Sequence, residues 1–207
     1  MNISIVLAAG VIALVLALYF LVYRPRQLVW GAELAEIDRP MPGDEIVERP
    51  TFNSTRALFI DAEAQDIYPW ICQMGIKRGG WYSYDLLDNL GKPSAESILS
   101  EYQNPKPGDL IPMSPDGKQG IWVKDMKLNE WMLWWDKKGF ITWVWGIYST
   151  NTKGSRLVTR VRMRYEWFSF NLVGNLLIEF ADFFMMRKCL LGIKRRAEGK
   201  TKARLAA

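Results

Sequence analysis

Two carboxylates, Glu179 and Asp182, stand three residues apart in an otherwise apolar stretch, "NLLIEFADFFMM". That spacing puts both on neighbouring positions of one helix face. Buried and unpaired, either carboxyl would titrate high and could act as an acid. At an edge beside Arg or Lys, either is a structural ion-pair partner instead. A tyrosine hydroxyl is the other acid available. The inventory closes most other routes. The chain has no histidine, the residue that most often moves protons near neutral pH and most often ligates metals. Cys72 and Cys189 are the only cysteines, and they lack metal-ligand spacing. Zinc centres and Ser–His or Cys–His nucleophiles are thereby excluded, and no cofactor or metal is expected. Two cysteines form no disulfide framework and suit a reducing compartment.

Aromatic side chains are the second chemical resource. Ten tryptophans in 207 residues favour a large aromatic interior, a ligand pocket or a membrane interface. Trp81 and two tyrosines gather in "QMGIKRGGWYSYD", Gln73 to Asp85. Gly79 and Gly80 permit backbone angles or close approach denied to other residues. Trp81, Tyr82 and Tyr84 offer apolar surface with a polar tip each, as pocket rim or as core. Asp85 reads as a cap for the helix starting at Leu86 in preference to a pocket acid.

The elements that must position these residues are legible in outline. "TFNSTRALFIDA" (51–62) reads as a strand. Asp61 then caps a helix on which Ile67, Trp70, Ile71 and Met74 share a face, Pro69 bends the axis and Gly75 ends it. "SYDLLDNL" and "SAESILSEY" read as short helices. Strands follow in "GIWVKDMKL", "EWMLWWDK" and "FITWVWGIYST", the last two joined by a hairpin at Asp136–Gly139. In "RLVTRVRMRYEW", Thr159, Val161, Met163, Tyr165 and Trp167 alternate with Arg160, Arg162, Arg164 and Glu166, giving one buried and one charged face. Trp134, Trp143 and Trp145 are not all expected on the inner face; some belong beside the arginine stripe or at a bilayer surface. Residues 171–199 form a long amphipathic helix with Val173, Leu176, Leu177, Phe180, Phe183, Phe184 and Leu191 on its broad apolar face. An antiparallel sheet with one charged face must bury the other, and this helix supplies the cover. The fold class is therefore α+β.

Ile3 to Tyr23 carries no charge and no proline. At ~1.5 Å per residue it can cross a hydrocarbon core of ~30 Å. It lacks the basic start and small-residue cleavage site of a signal peptide. Arg24 and Arg26 follow it directly, which places the N-terminus outside and the body in the cytoplasm. The expected layout is a membrane anchor (1–23), an extended tether (24–50), a folded domain (51–199) and a basic tail (200–207). The run from Arg187 to Arg204 carries eight basic residues against Glu198. It reads equally as a lipid-facing cluster or as a solvated helix end, and nucleic acid is not an expected partner.

From about Arg39 to Glu198 the chain resembles the START-like superfamily, also called SRPBCC or polyketide cyclase/dehydrase-like. "RPMPGDE", "IYPWICQMG", "RGGWYSYDLLDNL" and "RKCLLGIKRRAEG" are similar to phrases of an uncharacterised bacterial branch. The resemblance implies a helix-grip fold, a curved antiparallel sheet wrapped on a long C-terminal helix with a cavity between them. It further implies that the segment after the first helix forms cavity rim and wall, with Trp70, Trp81, Tyr82, Tyr84, Met163, Tyr165, Phe180 and Phe183 as candidate ligand-binding residues. The superfamily spans lipid carriers, hormone receptors, cyclases and oxygenase domains, so function must come from the site. This sequence lacks the Cys and His ligands of Rieske-linked oxygenases and the histidine of some cyclases. The first expectation is a membrane-tethered binding or carrier protein for a hydrophobic small molecule or lipid. The alternatives are a cyclase/hydratase-type enzyme using Glu179, Asp182 or a tyrosine, and a scaffold with a vestigial cavity that binds membrane or a partner protein.

Overall fold

A computed structural model describes residues 3–151, 153–165 and 172–206, without the side chains of 5, 172, 173 and 202–206. Glu166 and Trp167, and the side chains of Val173, Lys202 and Arg204, lie outside the described residues. The first helix, α1 (Ile3–Leu18), passes through a π-helical turn at Tyr19–Tyr23 into α2 (Arg24–Leu28). Pro25 has no N–H to offer the preceding turn, and the widened turn accommodates that loss. Arg26 donates from Nη1 to the Val22 carbonyl at 3.1 Å. This is one helix long and apolar enough to cross a membrane, and it lies near the N-terminus.

The body is a six-stranded antiparallel sheet in the order β1-β6-β5-β4-β3-β2. Its strands are β1 (Phe52–Ile60), β2 (Leu110–Pro112), β3 (Gly120–Lys127), β4 (Trp131–Trp135), β5 (Ile141–Ser149) and β6 (Ser155–Met163). A register irregularity between Val123 and Asp125 marks a bulge in β3. The Asp136 carboxylate accepts the N–H groups of Lys138, Gly139 and Phe140, which closes the β4–β5 hairpin. Across the inner face runs α6 (Leu172–Ala206), with α4 (Ala64–Cys72) packed beside it. Ile67, Trp70, Ile71 and Met74 are all buried there. Glu63, not Asp61, occupies the N-cap of α4, and its side chain makes no cap bond. This is an α+β helix-grip arrangement, as the sequence suggested.

The outer face departs from expectation. Residues 24–50 do not run as an extended tether: they hold α2, which is tied to α6, and α3 (Leu34–Asp38), and the stretch from Ala32 onward lies over the outer face of the sheet. Met41 packs with Ala57, Leu133, Val144 and Val158, a second small core on the outer side. Arg160 and Arg162 of the arginine stripe therefore face protein, and Arg164 is exposed. Arg160 is 4% exposed; it donates to Thr55, to the carbonyls of Glu36, Ile37 and Arg39, and pairs with Asp44 at 2.5 Å. Arg156 clamps Glu36 at 2.6 Å. A guanidinium with five fixed donors suits this gathering of loop carbonyls better than a solvent face would.

The three tryptophans are corrected as well. Trp134, Trp143 and Trp145 all point inward, because 143 and 145 are two apart on one strand and Trp143 lies opposite Trp134 in register. Their ring centroids are 5.0, 5.2 and 5.9 Å apart. The outer face holds Leu133 and Val144 in their place.

Candidate functional site

The aromatic stretch from Gln73 to Asp85 becomes the wall between the sheet and α6. Gly80 sits at φ +80°, and a Cβ there would lie 2.4 Å from the Ser94 hydroxyl oxygen. That hydroxyl accepts the Tyr82 N–H at 3.0 Å and donates to Asp85 at 2.5 Å. Asp85 thus ties the turn to Ser94 instead of capping α5 (Asp85–Asp88) through its side chain. Tyr82 is held at φ +57°, an unfavourable angle for a non-glycine residue. Gly192 lets α6 press against it, since a Cβ would stand 2.3 Å from the Tyr82 carbonyl oxygen. The strained turn swings Trp81 inward, where it stacks on Trp143 at 5.8 Å and 10°.

Beside this stacked pair lies a cavity of about 460 Å³. Trp81, Trp143 and Ile76 line it from the sheet side, and Ala181, Met185, Met186 and Cys189 from α6. Leu87, Leu90, Met113 and Ile178 ring its mouth, and all four are exposed. Polar groups are few: Ser83, Asp88 and Asp182. Burial raises the Asp88 carboxyl above the usual range. Burial also raises Asp182, against the pull of Arg56, whose Nη1 lies 2.6 Å away. The Cys189 thiol is pushed up by burial and is no nucleophile at neutral pH.

Both helix carboxylates are paired. Glu179 is fully buried and accepts from Arg24 Nε at 2.8 Å and Nη2 at 3.0 Å. It also accepts from the Tyr165 hydroxyl. Arg56 is fully buried, donates from Nε to the Gln27 carbonyl at 2.9 Å, and holds Asp182. These pairs bind the N-terminal helix, β1 and α6 together; both carboxylates are ion-paired, but Glu179 is so in the interior and not at an edge.

Of the eight expected ligand residues, Trp81 lines the cavity. Trp70 and Tyr82 pack edge-to-face at 5.9 Å, with the Tyr82 hydroxyl on the Trp70 carbonyl at 3.0 Å, so both serve the core. Tyr84 is exposed beneath Lys188, whose Nζ stands 3.8 Å from the ring centre. Met163 is half-buried at the end of β6. Tyr165 serves Glu179. Phe180 and Phe183 meet Tyr23 of the N-terminal helix at 5.8 and 6.2 Å. Sequence reading missed Leu87, Leu90 and Met113, since a loop rim carries no periodicity that would announce it, and it also missed Met185 and Cys189 on α6.

The basic tail continues α6. Lys194 pairs with Glu198, Arg195 and Arg196 with Glu96, and Thr201 donates to Asp66. At ~1.5 Å rise per residue, Lys200 lies about 30 Å along the helix from Glu179. Among the described residues no group of three or more thiol or acidic side chains could hold a metal ion.

No family model matches the chain, and no curated protein matches it. Solved structures that are similar include a polyketide-cyclase-like protein of Corynebacterium glutamicum, at 16% identity and a TM-score of 0.46, covering 73% of this chain and 94% of that one. A conserved protein of unknown function from Enterococcus faecalis is 9% identical, with a TM-score of 0.35 and coverage of 76% and 88%. The di-domain ARO/CYC protein StfQ of the steffimycin biosynthetic pathway is 12% identical, with a TM-score of 0.39 and coverage of 75% and 52%. At these scores none bears on function, and the helix-grip fold stands on this chain's own sheet order and closing helix.

Proposed function

We propose that this chain is a membrane-tethered binding protein for a hydrophobic small molecule or lipid. The observation that carries the reading is the cavity of about 460 Å³ with its apolar walls and three polar groups. Such a volume suits one small ligand, and a few polar groups within an apolar lining fix its orientation. The stacked Trp81 and Trp143 rings give it a flat wall. The N-terminal helix would hold the cavity within reach of lipid, with the body on the cytoplasmic side by the charge rule. Native mass spectrometry of the full chain released from detergent tests it. The wild type is expected to carry an apolar compound that Ala181→Trp, which fills the cavity, has lost. Equal occupancy in the two, or none in either, overturns the reading.

A cyclase- or hydratase-type enzyme is the second reading. It is favoured by Asp88 and Asp182, both at the cavity and both raised by burial. Under that reading Asp88→Asn would still bind the co-purified compound but leave it unconverted.

A further inference from the structure

The first turns of α6 are apolar on the outside. Between Leu172 and Met186 the only charged residues are Glu179 and Asp182, and both turn inward to arginines. Leu177, Ile178, Phe180 and Phe184 are 64, 59, 44 and 41% exposed. Leu86 and Leu87 continue this surface across the cavity mouth at 82 and 73%. A soluble protein rarely leaves so continuous a patch to water.

The contacts fix where this patch lies. Arg24 meets Glu179, the Gln27 carbonyl reaches Asp182 through Arg56, and Arg187 stands 5.2 Å over Trp30. As the N-terminal helix advances from 24 to 30, α6 advances from 179 to 187. The two run side by side in the same direction. The seven residues of α6 before Glu179 therefore lie on the anchor's side of Arg24, reaching back about 10 Å at ~1.5 Å per residue. Outward charge begins at Arg187 and Lys188, where lipid headgroups would be met.

We propose that the start of α6 and the Leu86–Leu90 turn are seated in the boundary between lipid headgroups and acyl chains, so that the cavity opens onto the bilayer. The occupant of the patch is lipid. Ligand then enters sideways from the membrane through the ring of Leu87, Leu90, Met113 and Ile178. The inference rests on the membrane-tethered reading, and its test separates the two.

The full chain would be placed in phosphatidylcholine/phosphatidylglycerol nanodiscs with a polarity-sensitive dye on single introduced cysteines. The native Cys72 and Cys189 are buried and can stay. Leu177→Cys, Ile178→Cys and Leu87→Cys report the seat, Leu14→Cys the anchor and Asn151→Cys the far end of the sheet. Labels at 177, 178 and 87 are expected to be quenched several-fold more by nitroxide-bearing lipid than by iodide, and the label at 151 the reverse. If those three behave like 151 while 14 stays in lipid, the seat is overturned and the tethered reading stands. If 14 also behaves like 151, both fall. A lipid-seated mouth with no apolar compound in mass spectrometry leaves the seat and removes the binding function.

Discussion

At the scale of single residues, burial decides what each ionisable group can do. Cys72 is 1% exposed, and its surroundings push the thiol from an ordinary 9.0 up to about 12. The folded state therefore prefers the proton more than the unfolded chain does. Its contribution is complete below pH 9 and is lost as pH rises towards 12, with a slope of up to ~1.4 kcal/mol per unit. Cys72→Ala is expected to make the fall in stability of the full chain in detergent less steep, with Cys189 keeping its own share, measured by urea unfolding at pH 8, 9 and 10. Arg56 and Asp182 obey a different rule. A buried guanidinium without its carboxylate costs about 3–5 kcal/mol, whereas replacing both charges by apolar groups is often neutral. Asp182→Leu alone should lower the unfolding free energy by about that amount, and adding Arg56→Met should restore most of it. The same measurement on both variants checks this. A double variant no better than the single would mean that the Gln27 carbonyl contact, and not the ion pair, sets the energy.

At the scale of elements, residues 29–50 are fastened by arginines from the sheet. Arg160 alone holds Asp44 and the carbonyls of Glu36, Ile37 and Arg39. Arg160→Ala should release the segment, so that limited proteolysis cuts between Asp38 and Glu48 at least tenfold faster while the sheet itself remains. Uniform cleavage across the chain would instead mean that the outer core and the sheet melt together. This fastening also shows where sequence stops being informative. Strand alternation in β6 placed Thr159 and Val161 inward correctly, because a period of two is a property of the strand itself. It could say only that Arg160 and Arg162 point the other way. Whether that other side meets water or chain depends on a distant, proline-rich segment whose local pattern suggested extension. The tryptophans failed for a related reason. In "EWMLWWDK" and "FITWVWGIYST" apolar residues occupy both faces, since both faces are covered, and alternation no longer separates them. The cavity was foreseeable from a sheet gripping one helix. Its mouth was not, because Leu87, Leu90 and Met113 come from loops.

At the scale of the whole molecule, the N-terminal helix, long and apolar enough to cross a membrane, also works as part of the fold. Its last turns carry Arg24 to Glu179 and present the Gln27 carbonyl to Arg56, while the described side chains of α1 are exposed. The boundary between these roles falls near Tyr23, whose ring meets Phe180 and Phe183. Two truncations separate them. Removing residues 2–23 leaves both polar ties and should keep the domain folded in detergent, with its unfolding midpoint little changed. Removing residues 2–28 strands Glu179 with only the Tyr165 hydroxyl among its described partners and leaves Arg56 without the Gln27 carbonyl. That should cost roughly 3–5 kcal/mol, as for a buried pair deprived of one member. Urea midpoints of the two truncated chains in one detergent decide the matter. Equal midpoints would reduce the helix to a plain tether. A loss confined to the longer truncation means that residues 24–28, and not the apolar run before them, hold the helix that walls the cavity.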